Sequence, residues 1–411
     1  MKALFFDHFF HQDIGALFQA ASGRGHELKV LDYSEISKPA NQVFPKSAFQ
    51  GLENAFREEL EPQRQQWAEV SRQLFSALHE RYPFDVFISP SDTFFYLRDF
   101  IRIGQERGVP TVVVQKETAV APNAFESHAA EVKRLLPVMC DHMCVCSEDQ
   151  REFWLKSGGK SENISITGQP RFDVYFHPEM VPSWNAMGIP IPSNKPVLLF
   201  LSYNLNTYAP EDLSTYYASG ISKGPNDGPW RQLRDETEEV LFQLADCGYM
   251  VLVKPHPQQD TSEYIPDFAQ RAAGRMGNTI HFVSAQADTR NLVANCDVLV
   301  GFQTTALFEG MLAKKEVIYT GWTEPVLQSR EGLMEFHRRP DALKCANSPE
   351  ELFRFVKGAR KKVDDENVIL ARQRFLQNYL GKCDGESCNR VWSEIERVVS
   401  SRRNSNLAPS V

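Results

Sequence analysis

Long apolar runs are missing from this sequence. No stretch approaches the roughly 18–20 apolar residues that a membrane-spanning helix needs, and the longest runs, such as Val197–Leu201, have the length of a strand. Cysteine is sparse, with 8 in 411 residues, which excludes a disulfide scaffold. The start, MKALFFDHFF, lacks the pattern of a signal peptide because Asp7 and His8 interrupt it. We therefore expect a cytoplasmic protein that can associate peripherally with the inner face of a membrane.

Two common active-site motifs are also absent. The sequence contains no P-loop and no Gly-x-Gly-x-x-Gly turn after its first strand, which disfavours P-loop kinases and dinucleotide oxidoreductases. The 45 basic and 53 acidic residues give a formal net charge of −8, which argues against nucleic-acid binding. With 42% hydrophobic and 24% charged residues, the chain has the composition of a folded protein and the length of two domains.

Short apolar runs alternate with helical patterns in both halves, which predicts an α/β protein with two doubly wound, Rossmann-like domains. The predicted strands are Lys2–Asp7, Glu27–Leu31, Asp85–Ser89, Thr111–Gln115, His142–Cys146 and Ile164–Thr167, then Val197–Ser202, Tyr249–Lys254, Thr279–Val283, Val298–Gly301 and Glu316–Thr320. The predicted divisions are an N-terminal domain over 1–178, a proline-rich linker over 179–196, a second domain over 197–380, a helix over 381–402 and a flexible tail over 403–411. We expect the carboxyl strand ends of both domains to face a central cleft that binds the ligand.

The segment VLVKPHP combines a buried strand with two polar side chains at its exit. Lys254 and His256 follow the strand directly, and the prolines on either side, including Pro257, stiffen the turn. An ammonium and an imidazole at a strand end suit a phosphate or pyrophosphate, whereas the alternative is an ordinary turn with a solvated lysine. A second His-Pro, at His177–Pro178, lies next to the linker and does not directly follow a predicted strand.

A second polar segment follows the strand Val298–Gly301. Gln303 leads into a helix that begins at Thr304 or Thr305, where backbone amides and hydroxyls can bind an anion. Thr304 is equally suited to cap the helix, and the two roles are compatible. Glu309, one turn later, is a candidate for binding ribose hydroxyls or a solvated carboxylate.

Polar residues after the first strand and in a later loop are further candidates. Asp7, His8 and His11 can orient an acceptor or act as a base, or form a solvated loop. Asp227, in the long segment 203–229, is another acidic candidate with weaker placement. The cluster CDHMCVC has the wrong spacing for zinc, and its cysteines are typical of a buried strand.

The Lys-Pro-His-Pro and Thr-Thr segments together resemble the C-terminal half of GT-B glycosyltransferases of bacterial surface polysaccharide synthesis. The resemblance includes sialyl-, polysialyl- and Kdo-transferases, which use CMP-linked donors, and the CDP-glycerol glycerophosphotransferases of teichoic acid synthesis. It implies that His256–Pro257 and Thr304–Thr305 bind the donor phosphate and that the histidine assists the leaving group. Ser202, at the end of a neighbouring strand, joins the predicted donor site.

ITGQPRFDVY adds to this likeness, because a Gly-x-Pro-Arg-x-Asp element closes the N-terminal domain of many such proteins. Here Arg171 would balance phosphate charge together with Lys254. One departure stands out: many relatives have Gln-His-Gly after the fourth strand, where this chain has Gln115, Lys116 and Glu117. Glu117 is therefore a candidate general base or nucleophile, unless Lys116 neutralises it in an ion pair. We assign Gln115, Lys116 and His8 to the acceptor side.

The sequence therefore predicts a metal-independent glycosyltransferase without a cofactor, since no Asp-x-Asp lies at a strand end. It would move a sugar from a nucleotide-activated donor, with a CMP-linked sugar such as Kdo or sialic acid favoured, to a saccharide or glycolipid acceptor in lipopolysaccharide or capsule synthesis. Glu117, His256 and Asp7 are its predicted catalytic residues. Two alternatives remain: an epimerase of the UDP-N-acetylglucosamine 2-epimerase type, and a non-catalytic nucleotide-sugar binding protein.

Overall fold

The chain divides into two compact units, each built on one sheet. The computed structural model describes residues 1–51, 53–116, 122–192, 194–206, 228–257, 259–359 and 363–407. The first unit comprises residues 1–120, 125–173 and 377–411, and the second comprises 121–124 and 174–376. The first unit is therefore assembled from separate parts of the sequence.

The first unit contains a six-stranded parallel sheet. Its strands are β1 (Lys2–Asp7), β2 (Glu27–Asp32), β3 (Val86–Ser89), β4 (Thr111–Val114), β5 (His142–Val145) and β6 (Ile164–Ile166). Their order across the sheet is β2-β1-β3-β4-β5-β6. Because β3, β4 and β5 are buried throughout, both faces of the sheet must be covered by helices.

The second unit repeats this plan. Its strands are β7 (Val197–Leu201), β8 (Met250–Lys254), β9 (Ile280–Phe282), β10 (Val298–Gly301), β11 (Glu316–Thr320) and β12 (Lys344–Ala346). All pair in parallel, in the order β12-β11-β10-β7-β8-β9. The short edge strand β12 has no counterpart among the predicted strands.

Helices connect and cover these strands. They are α1 (His11–Ala20), α2 (Tyr33–Val43), α3 (Glu61–Arg81), α4 (Arg98–Glu106), α5 (Phe125–Leu135), α6 (Glu148–Lys156), α7 (Arg231–Asp246), α8 (Thr261–Ala272), α9 (Thr289–Asn295), α10 (Ala306–Leu312), α11 (Glu324–Ser329), α12 (Pro349–Lys357), α13 (Glu366–Leu380) and α14 (Ser387–Leu407). None of them, within the residues described, is long and apolar enough to cross a membrane.

The two faces of the first sheet bury alternate residues of β1. Leu4 and Phe6 belong to one core cluster, and Phe5 belongs to the other, as the period of two in a strand requires. The second cluster includes Trp392 of α14, whose indole Nε1 donates to the Leu17 carbonyl over 2.9 Å. The last helix is therefore part of the core of the first unit.

The Gly-x-Pro-Arg-x-Asp element holds the start of α14. Both oxygens of the Asp173 carboxylate accept backbone N–H groups, from Ser387 at 3.1 Å and from Cys388 at 2.8 Å. Gly168 has φ +76°, and a Cβ there would lie 2.5 Å from the Ser387 hydroxyl. Only glycine satisfies both conditions, which gives a structural reason for this residue in the element.

Candidate functional site

The strand order of the second unit reverses between β7 and β10. From β7 the chain proceeds outward to β8 and β9, and it then crosses to β10 and proceeds outward to β11 and β12. In doubly wound sheets, ligands bind at the carboxyl ends of the strands beside such a reversal. The residues at the ends of β7, β8 and β10 are therefore the first to consider.

Lys254 ends β8 with its side chain buried. The residue is 4% exposed, and its Nζ donates a 2.8 Å hydrogen bond to the Ala285 carbonyl. Burial lowers the pKa of this ammonium, whereas the negative charges of Glu309 and Asp288 act in the opposite direction. The Lys254 carbonyl accepts the backbone N–H of the buried Ser202, which extends the pairing of β7 with β8. A cation is thus fixed at the carboxyl end of the sheet.

His256 lies in a turn closed by Gln259. The backbone N–H of His256 donates to the Gln259 side-chain oxygen over 3.2 Å, and the Gln259 N–H donates to the His256 carbonyl over 2.9 Å. His256 is half-buried, and Pro257 beside it is exposed. Because these two hydrogen bonds close the turn, the backbone of His256 has a defined conformation. The imidazole therefore has a fixed point of attachment, one residue beyond Pro255.

Gln303, just beyond β10, has a strained backbone and a fully engaged side chain. Its φ of +42° lies in the left-handed region, which a non-glycine residue adopts at a cost. Its amide Nε2 donates to the Tyr319 hydroxyl at 3.1 Å and to the Met334 carbonyl at 3.3 Å, and its Oε1 accepts the Met334 N–H at 2.9 Å. Through these hydrogen bonds, Gln303 fixes the backbone between β10 and Thr304.

Thr304 and Thr305 precede α10. The Thr304 hydroxyl accepts the Ala306 N–H at 3.3 Å, but the N-cap residue of α10 is Thr305, whose side chain makes no capping hydrogen bond. The Thr304 hydroxyl retains its own proton to donate. Both threonines are half-buried at the carboxyl end of the sheet that also carries Lys254.

Glu309 is buried in the first turn of α10, 7% exposed. Its carboxylate accepts a 2.6 Å hydrogen bond from the Tyr175 hydroxyl. Burial and the neighbouring charge of Glu309 raise the pKa of Tyr175 well above its usual value, so the hydroxyl stays a donor. Arg290 and Asp288, which act electrostatically on the same tyrosine, form an ion pair at 2.6 Å. Sequence reasoning did not identify Tyr175, Asp288 or Arg290, although Tyr175 lies within the quoted ITGQPRFDVY.

The first unit places three predicted acceptor-side residues, His8, Gln115 and Lys116, and the predicted catalytic residue Asp7 at the ends of β1 and β4. The Asp7 carboxylate accepts the Phe10 N–H at 3.1 Å. Burial, with a contribution from Lys116, lowers the pKa of His8 to about 4, so the imidazole is neutral at physiological pH. Gln115 is buried, and Lys116 is half-buried beside it. Glu117 and Asp227 lie outside the described residues.

Arg171 is held within the first unit. Its guanidinium forms an ion pair with the buried Asp13 at 3.2 Å and donates to the Lys116 carbonyl at 2.9 Å. Gln169 donates to the same Asp13 carboxylate at 2.7 Å. These contacts hold Arg171 at the carboxyl end of β4, in the first unit. Lys254, with which Arg171 is predicted to balance phosphate charge, belongs to the second unit.

The cysteine cluster around β5 is buried. Burial raises the pKa of the Cys146 thiol to about 12, and His142 contacts Ser165 at 3.1 Å and Glu394 at 3.3 Å. In the part of the chain that the structure describes, no three His, Cys, Asp or Glu side chains are placed to hold a metal ion.

Comparison with known proteins gives a family and a fold. The family model described as CDP-Glycerol:Poly(glycerophosphate) glycerophosphotransferase matches residues 114–397, well over half of the chain. A search of curated proteins finds no match.

Solved structures of UDP-N-acetylglucosamine 2-epimerases have a similar fold. A putative enzyme of this kind from Listeria monocytogenes is 12% identical, with a TM-score of 0.59 and 97% of each chain covered. S. aureus MnaA, solved with UDP, is 14% identical, with a TM-score of 0.56 and 97% of each chain covered. The Neisseria meningitidis enzyme bound to UDP-GlcNAc is 12% identical, with a TM-score of 0.54, over 97% of this chain and all of that one. The predicted α/β fold with two doubly wound, Rossmann-like units of the GT-B type is confirmed.

Proposed function

The chain belongs to the CDP-glycerol:poly(glycerophosphate) glycerophosphotransferase family, a transferase family, and we propose that it moves a group from a cytidine-nucleotide donor to a hydroxyl of a saccharide or glycolipid acceptor. The sequence favours a CMP-linked sugar such as Kdo or sialic acid, and the family name points to CDP-glycerol. The role in synthesis of capsule or lipopolysaccharide, at the inner face of the membrane, rests on the resemblance of the sequence motifs.

The observation that carries this proposal is the set of polar residues at one end of the second sheet. Lys254 ends β8 and His256 follows it, Thr304 follows β10, and the charge of the buried Glu309 acts on Lys254. All of them lie beside the reversal of strand order, where an α/β sheet binds its ligand. The mixture of a fixed cation, an imidazole and hydroxyls matches a phosphate ester of a nucleoside.

Both donor types have the same leaving group. In glycosyl transfer from a CMP-linked sugar, the acceptor oxygen attacks the anomeric carbon and the bond to the CMP oxygen breaks. In glycerophosphoryl transfer from CDP-glycerol, the acceptor oxygen attacks the β-phosphorus, the bond between that phosphorus and the bridging oxygen breaks, and CMP again departs. The site must therefore stabilise negative charge that develops on a CMP phosphate.

Each residue then has a defined task. Lys254 provides a fixed positive charge, His256 and Thr304 donate hydrogen bonds to the departing phosphate, and Glu309 accepts from the ribose hydroxyls. Tyr175 orients the Glu309 carboxylate through their 2.6 Å hydrogen bond. The base that removes the acceptor proton is Glu117 or Asp7, as the sequence predicts.

Release of CMP tests the proposal directly. Purified protein is incubated with CMP-Kdo, CMP-sialic acid or CDP-glycerol in the presence of acceptor saccharides, and CMP is quantified. His256→Ala should abolish release and leave the melting temperature unchanged. His177→Ala is the matched control, because it removes the imidazole of the other His-Pro dipeptide and should retain full activity. Full activity in His256→Ala would refute the assigned role.

The binding step is tested separately with free nucleotides. A ligand that binds only the folded protein raises its melting temperature in line with concentration and affinity. We expect CMP and CDP to raise the melting temperature more than UDP or GDP do. A larger shift with UDP would favour the epimerase alternative, for which UDP-GlcNAc without acceptor is the direct substrate test. Nucleotide binding without turnover of any donor would favour the non-catalytic alternative.

A further inference from the structure

Gln259 lies in the turn that follows β8, shortly after Lys254 and His256. The residue is 9% exposed, so its carboxamide is almost entirely removed from water. Its Oε1 atom accepts the backbone N–H of His256 over 3.2 Å. Because a backbone N–H can only donate, this hydrogen bond fixes which end of the amide is the oxygen. The Nε2 atom must therefore point away from the His256 N–H.

The nitrogen end of the Gln259 side chain has no partner among the residues that the structure describes. Nε2 is buried and makes no hydrogen bond there, although it carries two N–H donors. Buried polar groups in folded proteins are nearly always hydrogen-bonded, because leaving one unsatisfied costs stability. Rotating the amide by half a turn would set two donors, Nε2 and the His256 N–H, against each other. The buried donor therefore indicates an acceptor that comes from outside this set of residues.

The groups around this turn indicate a phosphate as that acceptor. Lys254, 4% exposed, places an ammonium at the end of β8, and the half-buried His256 carries its imidazole on the turn itself. Phosphate oxygens are strong acceptors that take several hydrogen bonds at once, and their charge strengthens each bond. The neighbouring carboxylate of Asp260 accepts the Ser262 N–H over 2.9 Å as the cap of α8. Because that helix start is capped by the chain itself, the anion contact is assigned to Gln259.

We propose that the Gln259 amide binds the donor phosphate through Nε2 while its oxygen holds the backbone of His256. This inference rests on the proposed transfer reaction, and it adds a residue that lies outside the sequence motifs of the predicted donor site. One side chain then links the ligand to the turn that carries the imidazole. The contact places the phosphate against the residue that assists the leaving group, so it contributes to alignment as well as to affinity.

Two variants remove the donor in different ways. Gln259→Glu keeps the shape of the side chain and an oxygen for the His256 N–H, and at mildly alkaline pH it replaces the donor with a negative charge. Gln259→Met keeps the length and adds no charge, but it loses both the acceptor and the donor. Gln270→Glu is the matched control, because it adds the same charge on the exposed side of α8. The melting temperature without ligand shows whether each variant folds.

Equilibrium titration of the full chain with CMP, cytidine and pyrophosphate locates the contact. CMP and cytidine share the base and the ribose, whereas pyrophosphate has no nucleoside. We expect both Gln259 variants to bind CMP and pyrophosphate at least about tenfold more weakly than the wild-type protein, since a hydrogen bond to a charged group is lost. The affinity for cytidine should stay unchanged, and Gln270→Glu should bind all three ligands like the wild-type protein.

Three results would overturn the proposal. Unchanged CMP affinity in both Gln259 variants would show that Nε2 makes no contact with the ligand. A loss in Gln259→Glu alone would show charge repulsion without a hydrogen bond. An equal loss for CMP and cytidine would place the contact on the nucleoside or attribute it to a change in the turn.

The same titration separates this inference from the proposed function. Binding of pyrophosphate that depends on Gln259, in a protein that binds no cytidine nucleotide, would support the phosphate contact and refute a cytidine-linked donor. Binding of CMP that does not depend on Gln259 would refute the contact and leave the donor site standing. A wild-type protein that binds neither CMP nor pyrophosphate would refute both.

Discussion

Replacing Gln303 tests how the segment after β10 is held in place. Gln303→Met keeps the length of the side chain and removes an amide that makes three hydrogen bonds, two of them to the backbone of Met334. Met334 is 2% exposed, so water cannot replace the lost partner. A buried polar group left unsatisfied costs ~1–3 kcal/mol, and two such groups suggest a loss of about 2–6 kcal/mol in local stability.

Hydrogen exchange followed by mass spectrometry measures this loss. With about 1.4 kcal/mol for each factor of ten, exchange in peptides from β10 and β11 should accelerate roughly 30- to 20,000-fold. Gln232→Met is the matched control, because the exposed Gln232 donates to Glu236 along α7 at 2.8 Å. A surface change of this kind should stay within about 0.5 kcal/mol. Equal exchange rates in the two variants would refute the reasoning.

The backbone strain at Gln303 is tested by a second pair of variants. Gln303→Ala and Gln303→Gly lose the same hydrogen bonds, but alanine retains the left-handed conformation at a cost of ~1–2 kcal/mol. Glycine avoids this cost and loses ~0.5–1 kcal/mol in conformational entropy. We therefore expect the glycine variant to be at least as stable as the alanine variant. Greater stability of the alanine variant would show that the φ of +42° is not strained.

Three further perturbations have outcomes set by the structure. Tyr175→Phe removes a donor to the buried Glu309 carboxylate and should cost about 1.5–3 kcal/mol, measured as increased exchange in α10. The pKa of His8 falls from 6.5 to about 4 on folding, so stability should decrease as the pH drops through this range, and His8→Gln should flatten that part of the pH profile. A hydrogen bond from Arg390 lowers the pKa of Asp384 from 3.8 to about 2. Its stabilising contribution is complete above pH 3.8 and is lost as the pH falls through 2, so Asp384→Asn should lower the melting temperature at neutral pH and not near pH 2.

Each of these three perturbations has a control variant or a result that would contradict it. Tyr249→Phe removes a hydroxyl that donates to the neutral Val356 carbonyl at 3.0 Å, so its cost should be the smaller, at about 0.5–1.5 kcal/mol. An equal cost for the two tyrosine variants would contradict the charged state assumed for Glu309. An unchanged acid slope in His8→Gln, or a pH-independent deficit in Asp384→Asn, would contradict the corresponding assignment.

Local pattern was sufficient for much of the fold. Strands β1, β10 and β11 begin and end where the apolar runs predict, because a buried parallel strand is a continuous apolar segment. The pattern missed α2, which contains Pro39 and buries little beyond Ile36 and Ala40. It also missed the edge strand β12, whose three residues are too few to show a period.

The site was predictable only where its residues lie at strand ends. Lys254 ends the apolar strand β8 and Thr304 lies three residues after β10, so their placement comes from local sequence. Tyr175 meets Glu309 across 134 positions, and no periodicity links the two. The engagement of Gln303 with Met334 likewise depends on a loop that tertiary packing brings close.

The return of α14 to the first sheet has a consequence for biosynthesis. Trp392 packs in one layer with Phe5, so that layer remains open until Trp392 has been translated and has left the ribosome. The second unit is nearly continuous, over 174–376, and all of its strands are translated before Trp392. We therefore expect the later-translated unit to reach its native state first. A fragment that ends at residue 376 should protect β7–β12 from protease and leave β1 open to cleavage.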